Sequence, residues 1–181
     1  MIGIVGAGTM GGGIAQVFAQ AGETCVLVDI DLEQAQNGKK KIETALTRLV
    51  RKNKMAPETS AQILAAIQPG ELPDLAGCSV VIEAIQEDLA AKKQLFLALS
   101  QLCPPETLFA SNTSALSLTE LSAGIDRPVL GMHFFNPAPV MPLVEIVTEL
   151  GAPESSMEKL MQLARAIGKT PVHVREAPGF V

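Results

Sequence analysis

The sequence predicts an α/β fold: a doubly wound, mostly parallel sheet with helices on both faces. Three observations carry this. Short, near-continuous apolar runs alternate with longer helix-like segments along the chain. β-Branched residues concentrate in the short runs, as in "TCVLVD" and "SVVIEAI". The first run leads directly into a glycine cluster that opens a helical pattern, "IGIVGAGTMGGGIAQVF".

Each element follows from its local pattern. Residues 2–5 read as a strand and 10–22 as a helix, with Gly22 as its C-terminal cap. Residues 24–29 form the second strand. Polar helical stretches cover 32–53 and 57–66. Residues 79–85 are a buried strand, followed by a helix over 88–103. Residues 107–113 are a strand and 116–125 a short helix. Two strands, 128–135 and 142–149, flank the turn "NPAPVMP". A helix over 153–168 starts near Ser155 or Ser156 and stops at Gly168, and 170–174 is the last strand. There is no internal repeat. The ending "REAPGFV" has the composition of an interdomain joint, so 1–181 is expected to be one domain of a longer protein.

Composition narrows the function classes. The chain has 181 residues, 48% hydrophobic and 18% charged, which suits one domain with a substantial core. Six Phe and no Trp or Tyr leave no stacking platform for single-stranded nucleic acid, and a net charge of −5 argues against any nucleic-acid partner. No apolar run is long enough to span a bilayer, so no membrane partner is expected. The first strand pattern begins at residue 2, so no signal peptide is expected. Cys25, Cys78 and Cys103 lack zinc-type spacing; Cys25 and Cys78 sit in strand-like contexts as small core residues. A reducing, cytoplasmic location is expected. With His133 and His173 the only histidines, no metal site is expected.

The glycine cluster contains Gly6, Gly8 and Gly11 in a G-x-G-x-x-G pattern between strand and helix. Gly6 permits a tight turn, Gly8 lets a pyrophosphate approach the backbone, and Gly11 lets the helix pack on the strand. The helix N-terminus offers unpaired N–H groups to phosphate. Asp29 lies 18 residues beyond Gly11 at the end of the second strand, placed to bind an adenosine ribose and repel a 2′-phosphate. No Lys or Arg lies between Asp29 and Gly38, so NAD is favoured over NADP. FAD shares the fingerprint, and a glycine-rich turn that binds nothing has the same residues. The pattern in this context predicts a Rossmann-type fold.

The stretch "GMHFFNPAPVMPLVEIV" poses a second question: a glutamate, Glu145, sits among apolar residues. His133 and Glu145 are each six positions from Pro139. If the flanking strands fold back on each other, the two face one another; a one-residue slip would separate them. Paired, Glu145 would fix the imidazole and leave its other nitrogen to exchange a proton with a substrate. Unpaired, Glu145 points to solvent and His133 is a satisfied core group.

Together "GAGTMGGGIAQVFAQAG", "VVIEAIQEDLAAKKQLF", "FASNTSALSL", "GMHFFNPAPVMPLVEIV" and "APGFV" resemble the NAD-binding domain of the L-3-hydroxyacyl-CoA dehydrogenases, which include 3-hydroxybutyryl-CoA dehydrogenases. The resemblance implies roles. His133 is the base for the hydroxyl proton and Glu145 its orienting carboxylate. Ser114 and Asn136 lie by the substrate oxygen and the cofactor. Gly6, Gly8, Thr9, Met10, Gly11, Asp29, Glu87 and Lys92 contact NAD. Lys52, in a basic run from Lys39 to Lys54, matches a lysine near the coenzyme A ribose phosphate, although a neighbouring serine contact falls on Ala45 here. For most of that run a solvated helix face is the plainer reading. The family also implies a helical C-terminal domain, after residue 181, that closes the cleft and forms a homodimer, and in some members a fused hydratase/isomerase. Two other functions fit the same scaffold: a dehydrogenase of a free hydroxy or sugar acid, and a non-catalytic NAD-binding protein like the related lens crystallins.

Overall fold

A computed structural model describes residues 1–149 and 151–177. The ending 178–181, which carries most of the expected interdomain joint, lies outside the described residues.

Eight strands form one sheet in the order β3-β2-β1-β4-β5-β6-β7-β8. The strands are β1 (Ile2–Val5), β2 (Cys25–Val28), β3 (Ile67–Gly70), β4 (Val80–Glu83), β5 (Leu108–Ser111), β6 (Val129–Phe134), β7 (Leu143–Thr148) and β8 (Thr170–Arg175). Every neighbouring pair is parallel except β6 and β7. The helices are α1 (Thr9–Gln20), α2 (Leu32–Arg51), α3 (Pro57–Ala65), α4 (Leu89–Leu102), α5 (Leu118–Ser122) and α6 (Glu154–Ala166).

Alternation along the strands divides the core in two. Ile4, Leu27, Ile82, Leu130 and Ile146 face α1, α2, α3 and α6, where they meet Phe18, Leu46, Ile63 and Leu160. Val5, Val26, Val81, Phe109 and Val129 face the other side, against Phe96 and Leu99 of α4 and Leu118 of α5. Each fully buried side chain of this size contributes about 1.5–3 kcal/mol. Cys25, Cys78 and Cys103 are buried free thiols; burial pushes Cys25 up to about 12 and Cys78 up to about 11. No helix among the described residues is long and apolar enough to cross a membrane.

The expected elements are all present, with ends one or two residues shorter at most termini. Gly22 and Gly168 follow their helices in left-handed backbone, at φ +89° and +75°. Two elements depart from the sequence reading, which leaves 67–77 unassigned: edge strand β3 and a 3-10 turn over Leu72–Gly77. β3 is "IQPG", with a proline and no β-branched residue beyond Ile67, so it lacks a strand signal. An edge position tolerates that proline, and pairing with β2 supplies the order.

The turn between β6 and β7 is held from two sides. On one, a Cβ added at Gly13 of α1 would lie 3.2 Å from Ala138 Cβ and 3.3 Å from Pro139 Cδ, so the turn rests on the bare face of α1. On the other, Lys169 Nζ donates to the carbonyls of Ala138 at 2.7 Å and Met141 at 2.8 Å.

Candidate active site

The strand order reverses between β1 and β4, so a crevice opens beyond their C-terminal ends. The glycine turn forms its floor. Gly6 has φ +102°, a conformation reserved for glycine. A Cβ on Gly11 would lie 1.7 Å from the Gly6 carbonyl oxygen, so only hydrogen fits. At Gly8 nothing lies within 4 Å of such a Cβ, which leaves the backbone open to a ligand. No acidic residue occupies the first turn of α1 to compete with an anion at the helix N-terminus.

A groove of about 650 Å3 runs from this turn between the β2 and β4 ends. Gly6, Gly8, Asp29, Ile30, Leu72 and Ile85 are among its lining residues. Asp29 Oδ2 accepts from Ala7 N at 2.6 Å, and its Oδ1 accepts from Ile30 N at 2.7 Å. The carboxylate therefore ties the glycine turn to β2 while facing the groove. Ile30 is 88% exposed and Leu72 and Ile85 are half-buried, giving apolar walls suited to a flat heterocycle. A dinucleotide fits this donor set: backbone N–H groups for pyrophosphate, a carboxylate for ribose, apolar walls for adenine.

Beyond the groove a polar cluster joins the ends of β4 and β5. Glu83 is fully buried. Its Oε1 accepts from Ile85 N at 2.7 Å and meets Lys92 Nζ at 2.9 Å, and its Oε2 accepts from Ser111 Oγ at 2.6 Å. Lys92 Nζ also meets Glu87 Oε2 at 2.8 Å. Glu87 Oε1 accepts from Thr113 Oγ1 and, at 3.1 Å, from Ser114 N. Burial pushes the Glu83 carboxyl up, and Lys92 and Ser111 only partly offset this. At Glu87 burial also acts upward, but the bonds from Lys92, Thr113 and Ser114 outweigh it and leave the carboxyl lowered.

The β6–β7 register answers the question raised by Glu145: His133 lies directly opposite it, and Pro139 sits in the turn between them. His133 Nδ1 and Glu145 Oε2 are 2.6 Å apart, with Glu145 4% exposed. As a carboxylate, Glu145 only accepts, so it holds a proton on Nδ1. Nε2 then faces Ser114 Oγ at 3.2 Å. The Phe135 ring packs beside the imidazole, centroids 4.8 Å apart. Ser114 caps no helix; Ser117 caps α5. Ser114, His133, Glu145 and Glu87 thus come together in one cluster.

Five other expected residues stand differently. Lys92 is 1% exposed and committed to two carboxylates, so it is buried beneath the groove where a direct cofactor contact was expected. Desolvating an ammonium requires such partners. Met10 packs its side chain against the core, leaving its backbone at the helix start, while Thr9 lines a smaller cavity of about 260 Å3 between α1 and α2. Asn136 is exposed at the start of the turn. Asn112, which the sequence reading did not single out, accepts instead from Phe134 N at 2.8 Å and ties the β5 end to β6. Lys52 is exposed at the C-terminal end of α2, about 21 Å along the helix from Gly38, which packs on Ala7. Only an extended ligand spans that interval. Glu83, Ser111 and Thr113 were also passed over. Among the described residues no His, Cys, Asp and Glu group could hold a metal ion.

Comparison with known proteins agrees with this geometry. Residues 1–177 match the family model described as "3-hydroxyacyl-CoA dehydrogenase, NAD binding domain". The chain is 41% identical to the 3-hydroxyadipyl-CoA dehydrogenase of Escherichia coli, over 99% of this chain and 38% of that protein. It is 39% identical to the 3-hydroxybutyryl-CoA dehydrogenase of Clostridioides difficile, over 98% of this chain and 64% of that protein. A crystal structure of 3-hydroxybutyryl-CoA dehydrogenase from Escherichia coli superimposes with a TM-score of 0.95 at 40% identity, covering 99% of this chain and 39% of that one. The chain therefore spans less than two thirds of each of these proteins.

Proposed function

This chain belongs to the 3-hydroxyacyl-CoA dehydrogenase family through its NAD-binding domain, and from that membership we propose that it binds NAD and serves the oxidation of an L-3-hydroxyacyl-CoA to the 3-ketoacyl-CoA. The observation that carries the chemistry is the His133–Glu145 pair at 2.6 Å, with the second ring nitrogen turned to Ser114 beside a dinucleotide-shaped groove.

Gly6, Gly8, Thr9, Gly11 and the backbone at Met10 cradle the pyrophosphate, and Asp29 takes the adenosine ribose. Ile30, Leu72 and Ile85, which line the groove, would hold the adenine. Bound NAD supplies the hydride acceptor for the hydrogen on C3. His133 Nε2 takes the C3 hydroxyl proton, and Glu145 stabilises the ring as it becomes charged. The C–O single bond becomes the ketone as hydride and proton leave, and the reverse reaction returns both. Ser114, which occupies the Nε2 partner position, donates to the substrate oxygen, and Asn136 serves the same region. Glu87 borders the cofactor side of this point. Lys52 attracts the phosphates of coenzyme A. In the whole protein a helical domain completes the cleft and the dimer. The setting is soluble fatty-acid metabolism in the cytoplasm.

The test is NADH consumption with acetoacetyl-CoA, followed in single turnover with protein in excess. The ketone of the thioester is reduced, and free acetoacetate is not. His133→Gln lowers the rate by about 10^2–10^4-fold with NADH affinity unchanged. Equal rates for thioester and free acid would point to a free hydroxy acid as substrate. An unchanged rate in the variant would show that His133 is not the base, and no NADH consumption by the parent chain with either substrate would favour a binding role.

A further inference from the structure

We propose that Glu83 is a positioning residue of the active site: it holds the turn over residues 112–114 so that the Ser114 hydroxyl meets the His133 ring. The carboxylate lies at the C-terminal end of β4, fully buried, and touches no groove surface. Both of its oxygens connect to that turn, by separate routes that meet at Thr113. Through Oε2 it accepts from Ser111 Oγ at 2.6 Å, and that oxygen in turn accepts from Thr113 N at 3.1 Å. Through Oε1 it meets Lys92, which meets Glu87, which accepts from Thr113 Oγ1 and Ser114 N. The Glu83 carbonyl adds a third tie, accepting from Asn112 N at 2.8 Å. All routes end on the turn whose last residue places its hydroxyl 3.2 Å from His133 Nε2.

A purely structural role accounts poorly for this composition. Glu83 and Lys92 are both buried as a polar pair, where apolar side chains of equal volume would serve stability as well or better. What the charges add is direction. A carboxylate accepts at set angles, so a serine and a lysine bound to it leave little freedom to the backbone they hold. Ser114 sits on an exposed loop, and a hydroxyl there needs such support to stay within hydrogen-bond reach of the imidazole.

The inference rests on the dehydrogenase reading only for what Ser114 and His133 accomplish; the geometry is read without cofactor or substrate. The test therefore uses the cofactor-free chain. His133 and His173 are the only histidines, so the two imidazole spin systems are separable by 15N-edited NMR. His173 lies on edge strand β8 against Thr148 and serves as an internal reference. In Glu83→Gln the His133 Nε2 and Hε1 resonances move and those of His173 do not. Ser111→Ala, which cuts one route and removes a single oxygen, moves the same resonances in the same direction by less. Leu99→Ala, in the core on α4, lowers stability and leaves both histidines unchanged. If folded Glu83→Gln and Ser111→Ala leave the His133 resonances unmoved, the proposal is overturned. Should Glu83→Gln fail to fold, Ser111→Ala decides alone. Moved His133 resonances in a chain that binds no NADH uphold the positioning role and overturn the dehydrogenase reading.

Discussion

At Gly11 one missing carbon makes the cofactor floor possible. The 1.7 Å that would separate a Cβ from the Gly6 oxygen is far inside contact distance, and the obstacle is backbone. Gly11→Ala must therefore move α1 away from β1. We expect a loss of about 2–4 kcal/mol in urea unfolding and at least tenfold weaker NADH binding. A variant as stable as the parent would show that the turn has room this geometry denies it. The same scale explains what sequence could and could not reveal of the site. Glu145 stood out as a charge inside an apolar strand, and the register bears out its pairing with His133. Glu83 has the same signature in "VVIEAI", but its partners Ser111, Lys92 and Ile85 are not mirrored across one turn. Ile85 is two residues away, while Ser111 is 28 away on the next strand. Symmetry about a hairpin is visible in a string of letters; adjacency of parallel strands is not.

Among the elements, α5 shows how a five-residue helix is kept in place. The Glu176 carboxylate, just past β8, accepts from Ser117 Oγ, Thr119 Oγ1 and Thr119 N at the start of α5. Burial acts to raise this carboxyl, but those bonds outweigh it and leave it lowered. The sign is then fixed: stability from Glu176 is full above the unfolded carboxyl range near pH 4.3 and is lost as pH falls through the lowered folded value. Glu176→Gln is expected to cost about 1 kcal/mol at pH 7 after solvent screening, with the gap to the parent closing below about pH 4. Urea melts at pH 7 and pH 3.5 measure both; a gap that persists in acid would refute the assignment. Element boundaries were otherwise readable because caps and apolar runs agreed. β3 was the exception, a strand ordered by its neighbour rather than by its own residues.

For the molecule as a whole, groove and acid–base pair belong to different regions of the sheet. The groove lies where β1, β2 and β4 end, and the pair lies on β6 and β7. The described chain contains both, so binding and proton transfer are separable experiments. We expect the 181-residue chain to bind NADH while turning over acetoacetyl-CoA far more slowly than proteins of the relatives' full length, because it matches only 38–64% of their length and the closing domain we propose would lie outside that match. Steady-state kcat beside an NADH titration checks this; a full-rate isolated chain would show the cleft complete without that addition.

The lone antiparallel pairing also sets a timetable. His133 and Glu145 are twelve positions apart in the chain, so their strands can zip through a short local loop, on a scale of microseconds for an isolated hairpin. The parallel neighbours that shape the groove must each wait for a crossover to close. Among the described residues the His133–Glu145 pair is thus assembled by the fastest kind of sheet contact, and the glycine-turn groove by the slowest.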